Sequence, residues 1–322
     1  MPIQDLHHIP KVELHCHLIG LISPFVLEML QREGKESLVS PEVLRRCYPV
    51  VGIRRFLDWL LVLKPYQEYC IADIKPVLAY HIESLIQQHV LYTELMMSPT
   101  IFSPDIDTLV EEFDQFRKWT IQQERGLVQV EYLMVIPRAL PESLFKKNLE
   151  VYSKLWQQQL ISGIAVVGIE NNTSLRRIYP LLKKFKDIGI RIEVHAGEHT
   201  GPENVWDALQ FGLADRIGHG IGIFQDEKLI DHVRKLNMHL EFALTSNLRL
   251  QSVGDIRAHP IQLAHLHKLN FSINTDDPGA FECCLVDEFH LAQQNFSFDE
   301  HDFQTIFSNS LASRFQPHLR YL

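Results

Sequence analysis

Histidines and carboxylates recur in this 322-residue chain at spacings that could hold a metal ion or move a proton. In Glu13-Leu14-His15-Cys16-His17 two imidazoles stand two residues apart. On a strand, where side chains alternate, His15 and His17 face one way and Cys16 the other, so the two imidazoles can share one metal. Alone, such a pair is weak evidence, because a partly exposed polar strand end has the same sequence. Further on, His195-Ala196-Gly197-Glu198 adds a third imidazole, and its two small residues let the chain turn and carry Glu198 back beside it. His219 lies between Gly218 and Gly220, and Asn274-Thr275-Asp276-Asp277-Pro278 holds adjacent carboxyls that repel when buried unless a cation or a proton intervenes. Each has a plain alternative: a packed histidine for His219, a helix cap ahead of Pro278 for Asp276 and Asp277. Taken together, His15, His17, His195 and an aspartate of the Asp276-Asp277 pair, with Glu198 and His219 between them, make a nitrogen and oxygen donor set suited to zinc.

Such a set works only if a scaffold brings it to one place. Short runs rich in Val, Ile, Leu and Phe fall at 12–17, 90–96, 128–136, 164–169, 190–194, 216–219, 239–244 and 271–274. Stretches of helical periodicity, such as 74–89, 106–122, 143–158, 174–186, 225–236 and 260–268, separate them. Eight strands alternating with helices predict an α/β fold, a (β/α)8 TIM barrel, with additional helices over the barrel mouth from 21–75 and further helices from 299–322. A doubly wound open sheet is the other architecture with this alternation, but its Gly-rich phosphate turn is missing after the first strand, where His15-Cys16-His17 stands instead. In a closed barrel the reactive side chains come from the carboxyl ends of the strands, and the histidines and aspartates lie at those ends. The fourth run, 164–170, has no lysine to bridge two metals, so one ion is expected. No Gly/Ser/Pro-rich linker divides the chain, and residues 1–322 read as a single domain.

The formal charge of −9 disfavours a nucleic-acid polymer as partner, and a small, roughly neutral substrate fits better. No apolar run is long enough to span a membrane, and the first residues have neither the basic nor the apolar region of a signal peptide, so a cytoplasmic location is expected. Five cysteines without a C-x-x-C pair read as reduced thiols.

Five motifs, in order, resemble the adenosine/adenine deaminase family: Pro10-Lys11-Val12-Glu13-Leu14-His15-Cys16-His17-Leu18, His195-Ala196-Gly197-Glu198, Arg216-Ile217-Gly218-His219-Gly220, Thr245-Ser246-Asn247, and Asn274-Thr275-Asp276-Asp277-Pro278. The likeness covers nearly the whole chain. It implies one Zn2+ per chain on His15, His17, His195 and Asp276, with a position left for a water whose pKa zinc lowers toward ~7. It also implies that His219 orients or deprotonates that water, that Glu198 protonates purine N1, and that Asp277 hydrogen-bonds N7. The implied reaction is hydrolytic deamination at C6, yielding the 6-oxo purine and ammonia. For Glu198 to donate at neutral pH, its pKa is expected to stand above the ordinary ~4.3. Thr245-Ser246-Asn247 reads as shaping a strand end rather than as chemistry.

The chain departs from the family at substrate-contact positions. Ile19 stands where nucleoside-specific members carry an acid that contacts the ribose 5′-hydroxyl, and isoleucine cannot make that bond. Glu170-Asn171-Asn172-Thr173 replaces a segment whose glycine approaches purine N3. Phe56, Trp59 and Leu60, in a segment resembling the family's lid helix, are candidates to line the purine site. Adenosine, free adenine and a nucleoside with an apolar 5′ group therefore stay open as substrates. Another amidohydrolase activity or a non-catalytic purine-binding barrel are the competing functions.

Overall fold

Each apolar run becomes a strand of one parallel sheet in a computed structural model of the chain, in which residues 5–170 and 174–321 are described. The strands are β1 (Lys11–His17), β2 (Val90–Met97), β3 (Gln129–Pro137), β4 (Gly163–Val167), β5 (Ile192–Ala196), β6 (Arg216–His219), β7 (His239–Phe242) and β8 (Asn270–Ile273), each bonded to its sequence neighbour in the order β1 to β8. Three helices follow β1: α1 (Pro24–Arg32), α2 (Pro41–Arg45) and α3 (Gly52–Val62). The crossover helices are α4 (Ile71–Gln87), α5 (Ile106–Glu124), α6 (Phe145–Gln157), α7 (Tyr179–Asp187), α8 (Pro202–Gln210) and α9 (Glu227–Lys235). Then come α10 (Leu244–Arg249), α11 (Ile261–Leu266), α12 (Pro278–Phe281), α13 (Leu285–Phe296) and α14 (Glu300–Ser313).

Local chemistry sets the boundaries. Side-chain caps open several helices: Ser23 accepts from Val26 N at α1, Asp105 from Thr108 N at α5 and Asp226 from Lys228 N at α9. β4 stops two residues short of the expected 169 because Gly168 takes φ +105, outside the extended region. The seventh run also overshoots, since Leu244 begins α10, and Thr245-Ser246-Asn247 therefore lies in a helical turn rather than on a strand. The chain end carries one helix, α14, and beyond it 314–321 runs without helix under the barrel.

The sheet closes between β1 and β8 at their carboxyl ends. Leu14 N donates to the Asn274 side chain (2.8 Å), Asp276 N to His15 O (3.0 Å) and His17 N to Asp276 O (2.8 Å). The same strand shifts register between Glu13 and Cys16, a bulge that turns these two side chains toward one side.

Inside the barrel Phe315, from the chain end, packs against Met96, Leu133 and Ala165. Arg216 lies over the Phe315 ring, 3.8 Å from its centre, and pairs with Glu94 (2.6 Å) and Glu241 (2.5 Å). All three charged groups are buried. The Phe315 amide donates to Glu94 (2.6 Å), and Arg320 pairs with Glu124 and Glu131, so the chain end closes the amino-terminal side of the barrel. Removing one member of a buried ionic group leaves charge without compensation, which costs about 3–5 kcal/mol. Arg216→Ala, which strands Glu94 and Glu241, is expected to lower unfolding stability by that amount in urea titration, with a fall in midpoint rather than in slope.

Candidate active site

The closing seam sets the site. Because Asp276 bridges to both His15 and His17 through its backbone, its carboxylate lies 3.5 Å from His15 Nε2 and 3.3 Å from His17 Nε2. β5 brings His195 across the barrel, its ring 4.5 Å from that of His15 and 5.3 Å from that of His17, centre to centre. Ring nitrogens of His15, His17 and His195 lie within 4.8 Å of one another. Gly218 leaves room for this: a Cβ there would meet the Glu193 carboxylate at 2.2 Å and the His15 ring at 2.9 Å.

Two observations test whether these residues fit a metal ion. First, the Nε2 atoms of His15 and His195 are buried and have no hydrogen-bond partner. Second, carboxylates outnumber cations around His15, with Asp276 on Nε2, Glu241 on Nδ1 (2.9 Å) and Glu193 at 3.8 Å. Burial opposes charge on His15, yet the Asp276 and Glu241 carboxylates beside the ring outweigh it and hold the imidazole well above its usual range. His195 is driven the other way, by burial and by the neighbouring histidines, and stays neutral, the form that binds a metal. Glu241 also carries the ion pair to Arg216, so the His15 ring is anchored through the barrel core. The donors fit a zinc-class cation.

The residues expected to handle protons stand next to this cluster. Gly197 takes φ +71 and turns Glu198 inward, as the small residues there predict, and Glu198 Oε2 lies 3.6 Å from His219 Nε2 and 3.0 Å from His199 Nε2. Glu198 departs from expectation in its charge: burial raises its pKa, but His219 and His199 together outweigh burial and hold it below the usual carboxylate value. Asp277 is pushed well up by burial and by the Asp276 charge beside it. His219 and Asp276 hold left-handed backbone (φ +61 and +66), strain of the kind that clusters at functional sites.

Several positioning groups were not apparent in the sequence. Ser246 donates to Asp276 Oδ2 (2.6 Å), and the Asn247 amide reaches His219 Nδ1 (3.2 Å) and Glu198 Oε1 (3.4 Å). Read as backbone support, Thr245-Ser246-Asn247 thus supplies two direct contacts to site residues. Glu193 and Glu241 had a signal of their own, an acid two residues from a histidine on a short strand, Glu193 before His195 and Glu241 after His239. Glu170 accepts from Gly197 N (2.9 Å), Glu198 N (2.9 Å) and Thr200 Oγ1 (2.5 Å), and so fixes the turn that presents Glu198. The rest of that loop, Asn171 to Thr173, lies outside the described residues.

Above the cluster a cavity of about 650 Å³ opens, within the range of pockets that enclose small ligands. His17, His195, Glu198, His219, Asp276 and Asp277 reach it from below. Ile19, Phe56 and Leu60 form part of its wall. Trp59 does not: it is fully buried, its indole N–H donates to Tyr48 Oη (3.1 Å), and its ring stacks behind Phe56. The turn of α3 that exposes Phe56 and Leu60 to the cavity thus directs the tryptophan into the helix layer.

The sequence model described as adenosine deaminase matches residues 10–320. The chain belongs to the adenosine deaminase family. It is accordingly an enzyme acting on the C–N bond of a cyclic amidine, and its chemistry is the hydrolytic deamination of adenine-type purines. An aminodeoxyfutalosine deaminase of Streptomyces avermitilis is 30% identical over 97% of this chain and 89% of its own length. An adenosine deaminase of Escherichia coli is 28% identical over 88% of this chain and 87% of its own length. The crystal structure of an adenine deaminase from Arthrobacter aurescens shares the fold, with a TM-score of 0.82 and 24% identity over 97% of this chain and 95% of that one.

Glu170 reaches the candidate site through the turn it holds, its carboxylate bonded to the amides that present Glu198. Hydrogen bonds to a charged group contribute about 1.5–3 kcal/mol each. Glu170→Gln is expected to lower kcat roughly 10- to 100-fold while metal content and KM hold, and a rise in KM at constant kcat would show that Glu170 serves binding instead.

Proposed function

We propose that Glu198, His219 and Asp277, beside one zinc ion that His15, His17, His195 and Asp276 would hold, replace the C6 amino group of a purine nucleoside by oxygen. The observation that carries this reading is the convergence of partnerless imidazole nitrogens and a carboxylate at the floor of a cavity that also receives Glu198, His219 and Asp277. When bound, zinc supplies Lewis acidity, which makes water nucleophilic near neutral pH.

The chain's own groups do the rest. Asp277, whose carboxyl burial and the Asp276 charge hold well above its usual range, would donate in its protonated form to purine N7, a ring acceptor. His219, kept neutral because burial outweighs the nearby Glu198 charge, accepts the proton of the attacking water. Glu198 faces N1 and starts ionised, so the proton it gives N1 must first reach it, and His199 and His219 are the imidazoles beside it. Water adds at C6, the proton taken by His219 passes to the amino group, and the C6–N bond breaks to release ammonia while the added oxygen gives up its remaining proton and becomes the 6-oxo group.

The cavity wall bears on which purine enters. Ile19, Phe56, Leu60, Met96 and Ile101 form an apolar stretch of a wall that elsewhere carries Lys64, Gln67, Glu68, Ser98 and Thr100, and the volume exceeds what a bare base fills. Both features favour an adenine nucleoside with an apolar 5′ group. The enzyme would work as one domain, residues 1–322. We place it in the cytoplasm: its cysteines are all free, and among the described residues no helix is long and apolar enough to cross a membrane.

Zinc-loaded protein tested with adenosine, 2′-deoxyadenosine, 5′-methylthioadenosine and adenine is expected to release ammonia fastest, per kcat/KM, from 5′-methylthioadenosine. Glu198→Gln, with its metal retained, is expected to lose about 10²–10⁴-fold in turnover. Unchanged spectra across the panel would overturn the reading, and preference for adenine would replace the nucleoside by the free base.

A further inference from the structure

A second cavity, of about 530 Å³, lies on the opposite face of β1 from the catalytic histidines, between that strand, α1, α4 and the segment joining α12 to α13. The bulge between Glu13 and Cys16 brings both side chains to this face although they are three residues apart. His81 reaches in from α4, and donor atoms of Glu13, Cys16 and His81 all lie within 4.8 Å of one another.

These groups are not used in the fold as hydrogen-bonding chemistry would require. Glu13 is fully buried, and its Oε1 accepts both Thr275 N (3.2 Å) and Thr275 Oγ1 (2.6 Å), while Oε2 has no partner. The His81 Nε2 is likewise buried and without a partner. Cys16 is buried and free, and Cys283 lines the same cavity. Buried polar atoms are almost always satisfied, so two orphans facing one thiol call for an explanation. Arg45, also on the wall, is paired with Glu28, and Glu282 adds a further carboxyl to the lining.

We propose that Glu13, Cys16 and His81 form a second cation site that takes a borderline-soft divalent ion of the zinc type. Sulfur with imidazole selects such an ion over magnesium or calcium, which favour all-oxygen sites. Three protein donors leave one position for solvent or for Cys283. The two sites then stand back to back on β1, His15 and His17 on one face, Glu13 and Cys16 on the other.

Sulfur distinguishes them. Cobalt(II) replaces zinc and is coloured, and only the Cys16 site can give a thiolate-to-cobalt charge-transfer band in the near ultraviolet. Titrating cobalt into the metal-free full-length protein should load two ions per chain, with that band growing alongside one of them. Cys16→Ser should lose the band and one equivalent, and His81→Asn, a change on a half-buried helix face, should bind the band-forming ion at least tenfold more weakly. Far-ultraviolet circular dichroism checks that each variant is folded. A single equivalent without the band in the wild-type protein, or a band that survives His81→Asn undiminished, would overturn the proposal. Loss of the other, band-free equivalent would count instead against the zinc reading of the barrel centre, on which this proposal does not depend.

Discussion

The closure of the barrel between β1 and β8 is the constraint from which the site follows. Asp276 takes part in it twice through its backbone, to His15 O and His17 N, and those bonds fix where its carboxylate points. A seam that closed one residue earlier or later would separate Asp276 from His15 and His17, since a shift of one residue reverses the faces of a strand. The left-handed φ of Asp276 belongs to the same requirement, because the chain must leave β8, bridge to β1 and still aim the side chain inward.

Beneath that seam the barrel interior changes from apolar to charged. Phe315 and its neighbours fill the lower part, Arg216 lies on the ring, and Glu94, Glu241 and Glu193 surround it. Arg216 offsets two of these carboxylates, and His15 receives the rest of the negative field, so the charge surplus rises toward the carboxyl ends of the strands. A cation at the histidine cluster would complete the electrostatic arrangement that the core begins. The active site is thus continuous with the packing that stabilises the fold.

Much of this was legible in the sequence because it rests on local patterns. Apolar runs and helical periodicity marked eight strands in order, and the histidines at their ends marked the cluster that the fold brings together. The contacts that orient those donors join residues far apart in sequence, such as Glu241 to His15 and Asn247 to Glu198, and no spacing rule announces them. The charge of Glu198 was misjudged for the same reason: burial alone would raise its pKa, and the two imidazoles that reverse the sign meet it only in the fold. Trp59 shows the limit of helical periodicity, which places it on one face with Phe56 and Leu60 but does not fix how far that face is rotated. The bulge in β1 was hidden as well, since nothing in Glu13-Leu14-His15-Cys16 marks a register shift.

The central claim is that a single ion at the seam unites three strands through His15, His17, His195 and Asp276. Anomalous diffraction at the zinc absorption edge from crystals of the purified protein tests it most directly. The account predicts a peak about 2.0–2.2 Å from one donor atom of each of these four residues. A fully occupied peak lacking His195 or Asp276 among its ligands, or no peak at the seam in zinc-replete protein, would contradict it.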